Sequence, residues 1–239
     1  DLPEYCYPDD DIPIGGNIEW SGGDLGFFYG ENINYQKNSQ ISERLEKYKN
    51  RIFMFDTYRD TLGVALKKLG YSLNSENPKE IEEAKELLLE QRKLVDPVYG
   101  VDNGTTMIPA GESDINMIWS GEGLNLQDEN PNLVYVVPKE GANFWIDSLC
   151  IPSNAKNVSG AEKFINFVSD KESALRIADE IGYTTPNKEA RLEQPEEVRN
   201  NPNAYMPKEI MDRCEIYVDL PKDVKKLYDN AWIQIKSSN

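Results

Sequence analysis

The stretch RIFMFDTYRDTLGVALKKLGYS, Arg51–Ser72, changes its period halfway along. Arg51–Phe55 is a short apolar run that stops at Asp56, the pattern of a strand buried on both faces. Leu62, Ala65, Leu66 and Leu69 then recur at helical spacing, and Gly70 supplies the stop. A buried strand running directly into an amphipathic helix is a unit of layered α/β architecture.

The same alternation continues in both directions. NPKEIEEAKELLLEQRKL, from Asn77, carries an N-cap residue, a proline in the first turn, acids in front and bases behind, so it predicts a helix. Strands are expected at Ile115–Trp119, at NLVYVVP (Asn132–Pro138) and at NFWIDSLCIP (Asn143–Pro152). One or two helices follow up to Gly182, with Phe164, Ile165, Phe167 and Val168 on the apolar side. A charged, proline-rich stretch spans Pro186–Pro207, and Asp223–Lys236 reads as a closing amphipathic helix. Residues 1–40 are irregular, with Leu25–Gly30 as their one strand candidate, and Ser42–Asn50 suits a short helix.

Composition narrows the function classes. A chain of 239 residues suits two modest lobes. Its net charge of −16, from 42 acids and 26 bases, argues against nucleic acid and permits a cationic ligand. Histidine is absent from the sequence, which removes Ser-His-Asp, Cys-His and His-metal chemistry together. Cys6, Cys150 and Cys214 have no metal spacing, and Cys150 lies in an apolar run that suggests a small core residue. No apolar run approaches the ~18–20 residues of a membrane span. Asp1 opens the chain without a basic or apolar leader, so a signal peptide is expected to be cleaved or never included.

Three strand candidates end in polar or aromatic groups. FMFDTYRD delivers Asp56, Thr57 and Asp60; NMIWSGEG delivers Trp119; GANFWIDSL, Gly141–Leu149, delivers Trp145 and Asp147. In open α/β sheets ligands bind at the carboxyl ends of strands. An ammonium group gains from a carboxylate and from an aromatic face, and flat rings wall a methylene chain. Each residue also has a plain structural reading: Trp119 as core, Asp56 or Asp60 as a helix cap, Asp147 paired with Arg59 or a lysine. A pair of carboxylates doing glycosidase work is a further alternative. The residues alone lead to an α/β protein with an aromatic and acidic cleft suited to a cation.

FWIDSLCIPSNAKNVSGAEKFINFVSD (Phe144–Asp170), with EIGYTTPN (Glu180–Asn187) behind it, closely resembles the PotD family of polyamine-binding proteins from spermidine/putrescine ABC transporters. LGVALKKLGYSLNSENPKEIEEA and ENPNLVYVVPKEGANFW match the same family, and the resemblance runs from about Tyr48 to the C-terminus. It implies a type II periplasmic-binding-protein fold, with two α/β lobes closing over the ligand about hinge crossovers. It implies 1–36 as a segment entering the first crossover, 37–143 as the second lobe, 144–186 as hinge strand and C-terminal share of the first lobe, and 187–239 as a helical return to the second.

The resemblance further implies that Asp147 binds an amine, that Trp145 packs on the methylene chain, and that Trp119, Asp60, Tyr183 and Tyr217 complete the site. Family members often carry a second Asp where this chain has Thr57, a change that Asp56 or Glu122 could offset. The expected protein is non-catalytic and needs no metal or cofactor. It captures spermidine or putrescine outside the cytoplasm, in a periplasm or as a surface lipoprotein, and delivers it to an ABC permease. The family's long N-terminal segment has no counterpart here, so the first lobe is expected to be incomplete and ligand binding weak. Alternatives are a same-fold binder of another cation or an amino acid, or a carboxylate-pair hydrolase.

Overall fold

The computed structural model describes residues 48–238. The expected strand Leu25–Gly30, most of the helix Ser42–Asn50, the 1–36 segment and Cys6 lie outside the described residues.

The sheet is parallel and its centre is β1 (Ile52–Phe55), flanked by β2 (Val98–Gly100) and β3 (Ile115–Asn116) in the order β2-β1-β3. Phe53 pairs with Val98 on one side, and Ile52 with Ile115 on the other. All four β1 side chains are buried, as a continuous apolar strand between two covered faces requires.

The expected helix after β1 is α1 (Tyr58–Lys68), whose Leu62, Ala65 and Leu66 are fully buried. Gly70 takes φ +79 just beyond its end, a left-handed turn that side chains rarely adopt. Helix α2 (Pro78–Val95) starts where the sequence placed it, its first turn capped by Asn77 Oδ1 accepting from Lys79 N–H at 3.0 Å. Helix α3 (Gly104–Met107) is a single turn, and α4 (Ser120–Glu129) leaves from Trp119.

The chain's last helix, α10 (Lys222–Ser237), closes this core. Val224, Tyr228, Ala231 and Ile235 insert among β1, α1 and α2. The Tyr228 hydroxyl donates to Ser75 O at 2.9 Å, and the Lys85 ammonium joins α2 to Gln234 at 3.0 Å. Helices α5 (Val158–Ser169), α6 (Lys171–Ile181) and α7 (Lys188–Glu193) pack on one another in sequence, burying Ala174, Ala178 and Ala190. Two single-turn helices, α8 (Glu196–Arg199) and α9 (Lys208–Met211), occupy and follow the proline-rich stretch. Among the described residues no helix is long and apolar enough to cross a membrane.

Four expectations need correction. The strand at Ile115 ends at Asn116, because Trp119 turns the chain into α4. NLVYVVP and NFWIDSLCIP form no ladder among the described residues; the second makes one parallel bridge, Asn143 to Glu215, and is exposed from Trp145 to Cys150. A segment with no neighbouring strand has nothing to bury against, so Ile146 and Leu149 face solvent and Cys150 is exposed rather than core. Phe164 and Phe167, on the apolar side of α5, are exposed, and α6 is the main neighbour of that helix among the described residues.

Leu88 of α2 is completely buried in the core that β1, α1 and α10 share. Leu88→Ala is expected to cost about 2–5 kcal/mol of stability in a urea melt, the range for a core truncation that leaves a cavity.

Candidate ligand-binding site

The carboxyl edge of the sheet collects the aromatic side chains. Phe55, the last residue of β1, stacks on Trp119 with centroids 4.6 Å apart. Trp119 meets Trp145 edge-on at 5.1 Å, and Trp145 meets Tyr183 edge-on at 6.3 Å. Three of the four aromatics expected from the sequence, Trp119, Trp145 and Tyr183, thus form one row, which Phe55 anchors to the core; Tyr217 does not join it. Trp145 remains 36% exposed, so one ring of the row is open to a ligand.

Carboxylates lie at the Tyr183 end. Burial first, then the charges of Glu122 and Asp147, push the Tyr183 phenol up to about 12. The Glu122 backbone N–H offers a hydrogen bond to the same hydroxyl. Asp147 itself is exposed, so the cost expected for a carboxylate inside a buried strand does not arise. Arg59, considered as its partner, is engaged elsewhere: it donates to Asn74 Oδ1 at 2.7 Å and lies 4.5 Å over the Tyr217 ring.

Thr57, Asp60 and Tyr217 form a second group, two residues past Phe55. The Thr57 hydroxyl donates to the Asp60 carboxylate. The Tyr217 hydroxyl donates to Arg59 O at 3.0 Å and is also within reach of Asp60, with a single proton to place. Burial holds the Asp60 carboxyl above its usual range, against the hydrogen bonds from Thr57 and Tyr217 and the charge of Arg59. Asp56 points to neither group; Lys236 pairs with it at 2.7 Å. Among the described residues no three metal-ligating side chains cluster.

Glu215 positions both groups. Its backbone accepts from Phe144 N–H at 2.8 Å and donates to Ala142 O at 3.0 Å, fixing the chain one residue before Trp145. Its carboxylate takes Lys67 at 2.9 Å, Leu73 N–H at 3.3 Å and the Ser72 hydroxyl, which ties this knot to the end of α1. Burial alone would raise the carboxyl, but the hydrogen bonds from Ser72 and Lys67, with the Lys67 charge, hold it below the usual range.

Sequence reasoning missed the glycines that seat the rings. A Cβ on Gly121 would collide with the Tyr183 ring, and one on Gly123 with Tyr135. A Cβ on Gly63 would sit 2.8 Å from the Tyr217 hydroxyl. The available signal was the SGEG run just after Trp119.

Gly121→Ala is expected to lift Tyr183 from Trp145, changing the near-UV circular dichroism while the far-UV spectrum stays constant; an unchanged near-UV spectrum would show that the ring has another seat. For Glu215, a depressed carboxyl contributes stability above its ordinary range that is lost as pH falls through the folded value. Wild-type Trp fluorescence should therefore shift in acid, below about pH 4.5, the ordinary glutamate range. Glu215→Gln should already show part of that shift at pH 7 and lose about 1.5–3 kcal/mol in a denaturant melt.

The sequence pattern of the bacterial extracellular solute-binding protein family matches residues 38–207. A spermidine/putrescine-binding periplasmic protein of Salmonella typhimurium is 38% identical over 193 residues, covering 80% of this chain and 54% of the relative. The putrescine-binding periplasmic protein SpuD of Pseudomonas aeruginosa is 30% identical, covering 82% of this chain and 55% of its own length. The chain therefore spans about half the length of the curated relatives it matches. Among solved structures, the PotD substrate-binding protein of a spermidine/putrescine ABC transporter from Streptococcus pneumoniae superposes with TM-score 0.72 at 34% identity, covering 82% of this chain and 61% of that one. The TpPotD lipoprotein of Treponema pallidum, at 22% identity and TM-score 0.69, shares the fold. The parallel sheet and these matches establish a periplasmic-binding-protein fold, and the chain belongs to the bacterial extracellular solute-binding protein family.

Proposed function

We propose that this protein captures a polyamine, spermidine or putrescine, outside the cytoplasm and delivers it to an ABC permease without chemical change. The observation that carries the reading is the Trp119–Trp145–Tyr183 row with carboxylates at one end. Rings in a row give a methylene chain a flat apolar wall, and carboxylates receive its ammonium ends. Asp147 pairs with one ammonium, Trp145 lies along the chain, and Asp60, held by Thr57 and Tyr217, receives the other end. The names of the relatives support the ligand class and the transporter. An anion would gain from arginines, lysines or a helix N-terminus; the α4 N-terminus does begin at Trp119, but its first turn carries Glu122, and Asp147 adds a second negative charge at Tyr183.

In this reading residues 37–143 and 187–239 build one lobe, and 144–186 cross the hinge to the other. The insertion of α10 into the core of β1, α1 and α2 supports the return. The packing of α5 and α6 on each other supports their assignment to a separate body, and the packing of α7 on α6 draws Lys188–Glu193 toward that same body.

Thermal denaturation with millimolar putrescine, spermidine and lysine tests the function. A ligand that binds only the native state raises the melting temperature, by about 2.7 kcal/mol at one hundred times its Kd. Both polyamines should raise it, lysine should not, and Asp147→Asn should abolish the response. A rise with lysine alone would instead favour an amino-acid site, and no response to either polyamine would sink the proposal.

A further inference from the structure

Among the described residues the protein fills an ammonium site with its own lysine. The Lys236 ammonium lies 2.7 Å from Asp56, 5.0 Å over the Tyr99 ring and 5.7 Å over Trp232. A carboxylate and two rings thus suffice, in this fold, to hold a primary ammonium.

Other partly buried acids are answered in the same way by a cation of the protein. Glu215 has Lys67 at 2.9 Å and Glu140 has Lys68 at 3.6 Å. Glu122 is different. It is half-buried in the first turn of α4, one residue after the glycine that seats Tyr183. Its charge and that of Asp147 both bear on the Tyr183 hydroxyl. No lysine or arginine among the described residues pairs with it, and the charge that bears on its carboxyl is that of another acid, Asp102. Burial, then Asp102, raise its carboxyl, as expected for an anion with no counter-charge.

We infer that Glu122 is a ligand-contacting, specificity-determining residue, which with Asp147 receives the ammonium end of the ligand beside Tyr183. The parts match the Lys236 site: a carboxylate and adjoining rings, here without an ammonium from the protein. Of the two carboxylates the sequence offered beyond Asp60 and Asp147, Asp56 is consumed by Lys236 and Glu122 remains. The inference rests on the polyamine reading of the site.

The test compares Glu122→Gln with Glu129→Gln, which removes the same charge from the exposed far end of the same helix. Spermidine and putrescine affinities are measured by calorimetry, and unliganded melting temperatures alongside. Glu122→Gln should weaken polyamine binding about tenfold, the loss of one charge-assisted contact. Its unliganded melting temperature should hold or rise, since the buried charge is unanswered. Glu129→Gln should leave affinity unchanged. Unchanged affinity in Glu122→Gln, or an equal loss in both variants, overturns the inference while leaving the polyamine site standing. A wild-type protein that binds no polyamine removes both.

Discussion

The candidate site depends on how one carboxylate is held. Glu215 pairs its backbone with Ala142 and Phe144 and its side chain with Lys67, Ser72 and Leu73. The first pairing sets where Trp145 and Asp147 leave the body of the protein; the second fixes that point against α1, the helix that begins with Tyr58 and carries Asp60. Tyr217 is two residues further along the same anchored segment. A carboxylate with several donors and a lysine has no spare capacity for a guest, so the knot can be rigid without competing for ligand. Elements distant in sequence thereby reach one edge of the sheet.

Charge is distributed in two ways across this edge. Where the structure needs an acid, it supplies the cation too, as in Asp56 with Lys236 or Asp114 with Arg51. Around the aromatic row Glu122 has no such cation; burial first, and then neighbouring acids, raise the Glu122 carboxyl and push the Tyr183 phenol up to about 12. Unanswered charge costs folding free energy, and a cationic ligand would recover it on binding. The net charge of −16 is then more than a solubility device near the row, although over most of the surface that is all it need be.

The elements legible in the sequence were those whose neighbours are local or strongly periodic. IFMF, the helix ending at Gly70 and the helix capped by Asn77 each carry their own signal, so β1, α1 and α2 fall where expected. FWIDSLC does not behave so. Its apolar residues spell a strand, but a strand exists only with a partner, and beyond Asn143 the described residues offer none. The same lack of a covering surface explains why Cys150 and Phe167 are exposed although their composition reads as core. For the site, Trp119, Trp145 and Tyr183 were identifiable as residues, and motif order brought them together. Their contacts depend on the chain's path in space and were not readable from spacing.

Those contacts rest on glycine. Gly121 and Gly123 lie two apart at the start of α4, and each leaves room for a tyrosine ring from elsewhere in the chain, Tyr183 and Tyr135. Glycine inside a helix costs roughly 0.5–1 kcal/mol relative to alanine, so two together weaken the helix that carries Trp119. The same device recurs in α1, where Gly63 makes space for Tyr217. Three rings set into helix surfaces by absent side chains are a demand of position, not of helix formation. In this molecule the helices carry the cost and the rings gain fixed places: Tyr183 closes the row, and Tyr217 stands over Asp60. Thr57 fits the same pattern, spending its hydroxyl on Asp60 instead of adding a charge. The groups at this edge are placed first by shape, and only then by charge.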